Sequence, residues 1–517
     1  MSFSVLSTQA DLQRWRRGQH SAVVFVPTMG ALHQGHRQLI ASAQACGNGK
    51  EPPAVLVSAF VNPLQFGPDE DFESYPRDID ADCLIAETSG AAAIWAPSVE
   101  QVFPAGAASH FRLQVPRKHQ EHLCGAVRPG HFDGVATVVA RLLALVLPDA
   151  LVLGEKDWQQ LVILRQLVDD LGLKVRLHGV PTVRESDGLA CSSRNRYLTN
   201  KQRQQAVALP RLLNRAARDV MDGGSVDLPR MQLEWEQLGL AVEYLEVVDP
   251  SRLQPVKVEQ KLCLLAAALR VGETRLIDHV FLMTRQPIVA IDGPAGAGKS
   301  TVTRAFAQRL GLLYLDTGAM YRAVTWLAQQ QAVDSDDALA LEAMLENFQL
   351  ELDPSQSGSQ RVRVNGHDVT DAIRSPDVTA GVSAIAAHAC VRQALTAQQQ
   401  QMGRRGGLVA EGRDIGTAVF PDAELKVFLT ASSAERARRR AVDLEQRGFP
   451  VPDLLELESQ IEERDRLDST REVAPLLQAD DATELITDGM VIEEVIEALI
   501  ALFRMQVPEE VWPTPAC

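Results

Sequence analysis

The sequence predicts an α/β protein built as two units in tandem, and three observations carry that expectation. Through residues 1–198 strand-like and helix-like runs alternate, the pattern of a parallel sheet covered by helices on both faces. Residues 199–280 change to a smaller α+β pattern. At Gln286 the stretch QPIVAIDGPAGAGKST reads as a strand, a glycine-rich phosphate loop and a helix start, which is how a domain opens, and a second unit is expected over residues 287–505. At roughly 100–200 residues per domain, 517 residues are enough for about three or four.

Taken in order, AVVFVP from Ala22 is apolar and β-branched and predicts a strand; GHRQLIASAQA from Gly35 predicts a helix. AVLVSAF from Ala54 and AAAIWAP from Ala91 predict further strands. VATVVARLLALVL, DALVLGE, WQQLVILRQLVDDLG and KVRLHGVP then alternate helix, strand, helix, strand. The apolar run VATVVARLLALVLPDALVLG is interrupted by Arg141, Pro148 and Asp149, so it predicts a buried helix and a strand rather than a bilayer span. Beyond Thr199, RQQAVALPRLLNRAARDVM predicts one helix, and AVEYLEVVD and KLCLLAAALRVGETRLIDHV predict strands. QQQQ at Gln398–Gln401 predicts helical surface, and PEEVWPTPAC predicts a disordered tail. No motif crosses the short join at Thr284–Gln286, so the halves are expected to be separable there.

Composition narrows the functional classes. A formal net charge of −16 argues against nonspecific nucleic-acid binding, which needs Lys and Arg patches, but leaves room for small phosphorylated ligands. The 7 cysteines are widely spaced and form no C-x-x-C pair, which argues against a disulfide framework or zinc site and for a reducing cytoplasm. The first residues lack the apolar core of a signal peptide, so no membrane partner is expected.

GPAGAGKS fits G-x-x-x-x-G-K-[ST] through Gly293, Gly298, Lys299 and Ser300. The glycines let backbone N–H groups surround phosphate oxygens, Lys299 reaches the β and γ phosphates, and Ser300 offers a hydroxyl to Mg²⁺. Downstream, YLDTGAMYR, VAEGRDIGT, ASSAERARRR and ERDRLDSTR place arginines beside carboxylates at turns and helix starts. One such arginine would read as a surface salt bridge. Four clusters after a phosphate loop fit transfer of phosphate to a phosphate, where two anions must be neutralised as they approach. No N-K-x-D base-reading motif of a GTPase is present.

With IDGPAGAGKST, LDTGAMYRA, EGRDIGTAVFPDAELKVFLTAS and ERDRLDSTREVAPL, residues from about Pro287 to Leu502 resemble bacterial cytidylate kinase. The resemblance implies a P-loop nucleoside monophosphate kinase fold that binds ATP through Gly293, Gly296, Gly298, Lys299, Ser300 and Thr301. A lid-like helix carries Arg436, Arg439 and Arg440, of which Arg436 and Arg439 are assigned to ATP; which arginine meets phosphate stays open. For CMP or dCMP it implies Thr317, Tyr321, Arg322, Ser383, Arg392, Arg413, Asp414, Arg464, Asp468 and Arg471.

In the first half, PTMGALHQGHRQLI places His33 and His36 between a strand and a helix start, an anion cradle where the imidazoles can meet nucleotide phosphates. A zinc reading lacks further ligands at suitable spacing. GEKDWQQ puts Lys156 at the carboxyl edge of a strand, and SSRN puts Ser192 and Arg194 in a later loop. With FVNPLQFGPDEDFESYPR, RPGHFDGVATVV and DGLACSSRNRYL, these motifs make Val23–His279 similar to pantothenate synthetase, the pantoate–β-alanine ligase family. That resemblance implies a Rossmann-like nucleotidyltransferase domain with a small α+β subdomain. Pro27, Met29, His33, His36, Gly154, Lys156, Ser192 and Arg194 would bind ATP, and Gln65 and Gln160 would bind pantoate. His36, Lys156 and Lys299 are the expected catalytic residues. The one mild departure from the family form is LCGAVRPGHF, read as a mobile loop.

The implied whole is a bifunctional enzyme using ATP with Mg²⁺, pantoate, β-alanine and CMP or dCMP, and forming a homodimer through the ligase half. The alternative is one active half with the other kept as a regulatory or assembly nucleotide-binding module.

Overall fold

The structure, a computed structural model, describes residues 3–515 apart from 47–50, 69, 259–261, 354–359, 447, 449 and 472. Asp69, Lys261, Glu472 and Cys517, which fall within the motifs and counts above, lie outside the described residues. The chain divides into two compact units: Met1–Thr284 with Pro508–Val511, and Arg285–Val507 with Trp512–Cys517.

The first unit is organised on six strands: β1 (Ser4–Leu6), β2 (Val23–Thr28), β3 (Ala54–Ala59), β4 (Ala93–Trp95), β5 (Ala150–Gly154) and β6 (Arg176–Val180). They form one parallel sheet in the order β1-β4-β3-β2-β5-β6. Successive residues of a strand face opposite sides, and here both sides are buried. Val23, Phe25, Leu56, Trp95 and Leu151 pack into one core, and Val24, Val26, Val57, Ile94 and Val152 into another. Strand β1 has no apolar run to announce it, because an edge strand of three residues buries only Leu6 fully.

Helix His131–Val146 crosses one face of this sheet. Its Gly134 lies against the backbone of the turn Pro63–Gln65: a Cβ there would stand 2.1 Å from the Leu64 carbonyl oxygen. Only glycine permits that approach, and the approach brings Gln65 beside the helix start. A third core is formed by the antiparallel sheet β7 (Ala241–Val248), β8 (Cys263–Val271) and β9 (Thr274–Leu282) with helices Ala208–Met221 and Leu228–Gln237. The helix expected over RQQAVALPRLLNRAARDVM is two, Asn200–Ala206 and Ala208–Met221. Pro210 lacks an N–H and its ring crowds the carbonyl four residues back, so the ladder breaks at Val207.

In the second unit β10 (Ile288–Asp292) is the centre of a parallel sheet ordered β11-β15-β10-β16-β17. Strand β11 is Leu313–Asp316; β12 (Leu350–Asp353), β13 (Arg361–Val364) and β14 (His367–Asp368) form a small antiparallel sheet; β15 is Leu408–Gly412, β16 Leu425–Thr430 and β17 Thr483–Ile486. The phosphate loop joins β10 to helix Lys299–Leu310.

One composition-led expectation holds in part and another fails. QQQQ is helical, within Ala389–Met402, with Gln400 and Gln401 exposed as expected, but Gln399 is fully buried, because one face of that helix packs Val391 and Leu395 into the core. The described tail is ordered: Pro508 is buried and Glu509, Glu510 and Val511 are half-buried, held by hydrogen bonds that local sequence does not reveal.

Candidate active sites

In the first unit the histidine turn follows β2. Thr28 Oγ1 accepts the Gly30 N–H at 3.0 Å; Gly30 takes φ +80°, and a Cβ there would stand 2.8 Å from the buried Asp82 carboxylate. Asp82 accepts the N–H groups of Ala31 and Leu32 at 3.0 and 2.7 Å. Burial pushes its carboxyl up, and those two donors hold it down. Sequence reading missed Asp82, which lies some fifty positions downstream with no motif linking it to the turn.

The two histidines close the next helix, Gln34–Ala45, reciprocally. His33 Nδ1 accepts the Gly35 N–H at 3.1 Å, and His36 Nδ1 accepts the His33 N–H at 3.2 Å. An accepting Nδ1 leaves the proton on Nε2, so both rings are donors through Nε2. Their centroids are 4.1 Å apart. Burial lowers His33 to about 4, helped by Lys156, and lowers His36 to about 3, helped by His33. Both are therefore neutral at pH 7, and the Lys156 ammonium supplies the charge of the cradle.

Gln65 Nε2 donates to Met29 Sδ at 3.0 Å, beside half-buried Pro27, and its Oε1 accepts from Asn62 Nδ2 at 3.0 Å. Asn62 is buried and also donates to the Gly134 carbonyl at 3.1 Å. The Gln65 carbonyl accepts from His131 Nδ1 at 2.8 Å, and His131 Nε2 faces Arg128 Nη1 at 2.9 Å. Burial and Arg128 lower His131 to about 4. Arg128 forks onto Glu70 at 2.6 and 2.5 Å, which ties the LCGAVRPGHF segment to the loop that carries Glu70. Arg194 forks onto Asp71 at 2.9 and 2.6 Å, and Ser192 Oγ caps the Arg194 N–H at 3.3 Å. Lys156 follows Gly154 at the end of β5 and has Asp157 at 3.6 Å. One cavity is lined by Arg128, His131, Lys156, Gln160, Ser192 and Arg194 together. Arg128, His131 and Asp157 were not among the sequence-derived candidates.

In the second unit Gly293, Gly296 and Gly298 all take positive φ, 149°, 76° and 84°. A Cβ on Gly293 would meet the Leu429 carbonyl oxygen at 2.0 Å. Lys299 is buried; its Nζ donates to the carbonyls of Gly293 and Pro294 at 2.7 and 2.8 Å, and burial followed by Arg413 holds its ammonium well below the usual lysine range. Ser300 Oγ donates to Glu411 Oε1 at 2.5 Å, and Tyr314 donates to the same oxygen at 2.9 Å. The other oxygen, Glu411 Oε2, is buried without a partner. A serine hydroxyl and an under-used buried carboxylate are hard oxygen donors that fit Mg²⁺. No group of three metal-binding side chains exists among the described residues. Thr301 is exposed in the first turn of the helix.

Arg436 donates to the Ala295 carbonyl at 3.1 Å and pairs with Asp465 at 2.6 Å; Arg439 donates to the Ala297 carbonyl at 3.2 Å. Both therefore touch the phosphate loop, whereas Arg440 is half-exposed and pairs with Asp443. Opposite lie the remaining arginines. Asp316 caps Ala319 and accepts from Arg322 at 3.0 Å; Thr317 donates to the Glu411 carbonyl at 2.6 Å. Arg392 pairs closely with Asp414 and lies 5.4 Å from the Tyr321 ring centre. Arg413 donates to Asp468 at 3.0 Å, and Arg471 stands 3.9 Å from both Asp414 and Asp468. Burial, then Arg413, lowers Arg464; burial, then Arg392, lowers Arg471. Arg322 Nε, Arg464 Nε and Arg471 Nη2 are buried donors without a hydrogen-bond partner, ready for an anion. Ser383 is half-buried on helix Pro376–Ala387, which packs on the helix bearing Tyr321 through Gly381 and Thr325.

A family model for pantoate-beta-alanine ligase matches residues 4–281, and one for cytidylate kinase matches residues 289–505. The bifunctional pantoate ligase/cytidylate kinase of Prochlorococcus marinus (strain MIT 9313) is 75% identical, covering 97% of this chain and 99% of that protein. The protein of the same name from Prochlorococcus marinus (strain MIT 9303) is 76% identical over 94% of this chain and 100% of its own. That of Parasynechococcus marenigrum (strain WH8102) is 64% identical over 99% of this chain and 100% of its own. A pantoate ligase domain thus precedes a cytidylate kinase domain, and the chain belongs to the bifunctional pantoate ligase/cytidylate kinase family.

Proposed function

We propose that both halves turn over: the first condenses pantoate with β-alanine at the expense of ATP, and the second phosphorylates CMP or dCMP. The observation that carries this reading is that each unit holds its own set of anion-binding groups: the cavity with Lys156, Ser192 and Arg194, and the phosphate loop with Lys299, touched by Arg436 and Arg439 and within electrostatic reach of Arg413 and Arg464.

In the ligase reaction a pantoate carboxylate oxygen attacks the α-phosphorus of ATP and pyrophosphate leaves, giving pantoyl adenylate. The amine of β-alanine then attacks the acyl carbon, a proton leaves the nitrogen, and AMP departs with the former carboxylate oxygen. Negative charge grows on the phosphates in the first step. The Nε2–H groups of His33 and His36 and the Lys156 ammonium can meet it without reorganising, because backbone N–H groups already fix both rings. Gln65, held by Asn62, and Gln160 orient pantoate by their amides. Excluding water protects the adenylate from hydrolysis.

In the kinase reaction a CMP phosphate oxygen attacks the γ-phosphorus of ATP and ADP leaves. Lys299 and the loop N–H groups hold the donor, while Arg322, Arg413, Arg464 and Arg471 hold the acceptor phosphate. Mg²⁺ bound with ATP, next to Ser300 and Glu411, would offset charge on the β and γ phosphates. At the ligase site Mg²⁺ would accompany ATP. By family likeness the chain pairs as a homodimer through its ligase half and works in the cytoplasm.

Lys299→Ala should abolish CMP phosphorylation and leave pantothenate formation within twofold, and Lys156→Ala should do the reverse; both activities are read on one purified protein. Loss of both in folded Lys299→Ala protein contradicts separate sites. The histidine pair also sets a pH dependence. Both folded values lie below the unfolded 6.5, so the unfolded chain takes up protons first, and the ligase half should lose stability as pH falls from 6.5 towards 4. His36→Asn, which keeps an acceptor for the His33 N–H, should flatten the fall in melting temperature over that window; an unchanged slope contradicts the assignment. Finally, Asp414 should favour CMP over UMP. A carboxylate accepts from the N4 amine but meets the uracil carbonyl as acceptor to acceptor, at about 1–3 kcal/mol, or roughly ten- to a hundredfold. Equal kcat/KM for CMP and UMP would rule Asp414 out as base reader.

A further inference from the structure

Pro508–Val511, near the end of the chain, belongs with the first unit. It is a single turn closed by Val511 N–H to the Pro508 carbonyl at 3.1 Å. Its flanks are fixed within the second unit: Val507 N–H donates to the Phe503 carbonyl at 2.7 Å, and Trp512 Nε1 donates to the Leu310 carbonyl at 2.6 Å.

The turn is bound at two points, each next to a cation-bearing loop of the ligase site. The first is Glu155, the residue before Lys156. Glu155 is 1% exposed, and its two oxygens accept the N–H groups of Glu509 and Glu510 at 3.1 and 2.9 Å. Behind it is Gly179 of β6, where a Cβ would fall 2.8 Å from Glu155 Oε1. Burial pushes the Glu155 carboxyl up to about 7, while the two N–H donors from the turn, with Arg165, favour its charged form. The second point is the hairpin that leads into Ser192. Glu510 Oε2 accepts from Thr182 Oγ1 and N at 2.8 and 3.3 Å, and Glu510 Oε1 stands 3.7 Å from Arg184. Arg184 in turn forks onto buried Asp278 at 2.7 and 3.0 Å. The hairpin pairs Arg184 with Ala190 and Cys191 N–H with the Val183 carbonyl at 2.8 Å, one residue before Ser192. Glu510 also stands 3.7 Å from His279 Nε2, a buried ring nitrogen with no hydrogen-bond partner.

We infer that Pro508–Val511 is a positioning segment of the pantoate ligase site, tying the loop that carries Lys156 to the loop that carries Ser192 and Arg194. The inference rests on the ligase reading above. It also changes what separability means. The two chemistries use different residues, but a chain cut at Thr284 lacks a piece of its own first unit. A buried carboxylate stripped of both donors loses its two hydrogen bonds and keeps only the electrostatic support of Arg165.

The test keeps the full chain. In one variant residues 508–511 are replaced by Gly-Ser-Gly-Ser at constant length; in two others Glu510 becomes Ala or Gln. Ligase and kinase kinetics are measured on each preparation. Misplaced phosphate-binding loops should raise the ligase KM for ATP at least tenfold in the segment replacement and about threefold in Glu510→Ala. Glu510→Gln, which keeps an acceptor for Thr182, should fall between Glu510→Ala and the unaltered chain. Kinase kcat and KM should stay within twofold. A segment that only adds stability would lower the active fraction, and so kcat, with KM for ATP unchanged; that result overturns the inference. Equal loss of both activities overturns it too, since the segment would then serve the whole chain. Absence of ATP-dependent pantothenate formation by the unaltered chain would sink the reading beneath it. If the segment replacement is too damaged to assay, an unchanged KM in Glu510→Ala is sufficient to refute the proposal.

Discussion

Both sites face one constraint: cations must be gathered closely enough to grip phosphate, and gathered cations repel. At 4 Å two like charges cost about 4 kcal/mol at an effective dielectric of 20. The structure meets the problem by interleaving carboxylates. Asp316, Asp414 and Asp468 stand among Arg322, Arg392, Arg413 and Arg471, and Asp465 backs Arg436. In the first unit Glu70 and Asp71, neighbours in sequence, hold Arg128 and Arg194. The net charge of −16 thus coexists with two locally positive sites. Bidentate pairing also fixes the guanidinium planes of Arg128 and Arg194 in advance, lowering the ordering cost when an anion arrives.

The ligase site adds a second way of placing donors near an anion. Its histidines carry no charge; burial keeps them neutral, and the backbone holds their orientation. The single ammonium beside them, Lys156, supplies the charge. Neutral donors and one cation avoid the repulsion that three cations would bring; Asp157 stands 3.6 Å from that cation, while Glu70 and Asp71 hold Arg128 and Arg194.

Much of this was legible in the sequence because it is local. A phosphate loop, an H-x-G-H turn and strands of apolar, β-branched residues each declare themselves within a dozen positions. What sequence reading missed is held by contacts between distant residues. Asp82 supports a turn about fifty positions away, and Glu70 finds Arg128 across 58. Glu155 meets the backbone of residues 509 and 510 across more than three hundred and fifty. No periodicity encodes such pairs. The tail misled for the same reason: its proline-rich, acidic composition describes a segment without a core of its own, and this segment borrows a buried carboxylate of the first unit. Gln399 shows that composition also misreads helices, since a glutamine run has a buried face when its neighbours do.

Joining these halves makes no product of one a substrate of the other. The central claim is that one chain runs two chemistries that break ATP at different bonds. Phosphorus-31 NMR on the purified full chain tests it most directly. With pantoate and β-alanine, ATP should give AMP and pyrophosphate in equal amounts and no ADP. With CMP it should give ADP and CDP. With all substrates present and ATP saturating, the two rates should add. ADP formed in step with pantothenate, or failure of either reaction in folded protein, would contradict the account.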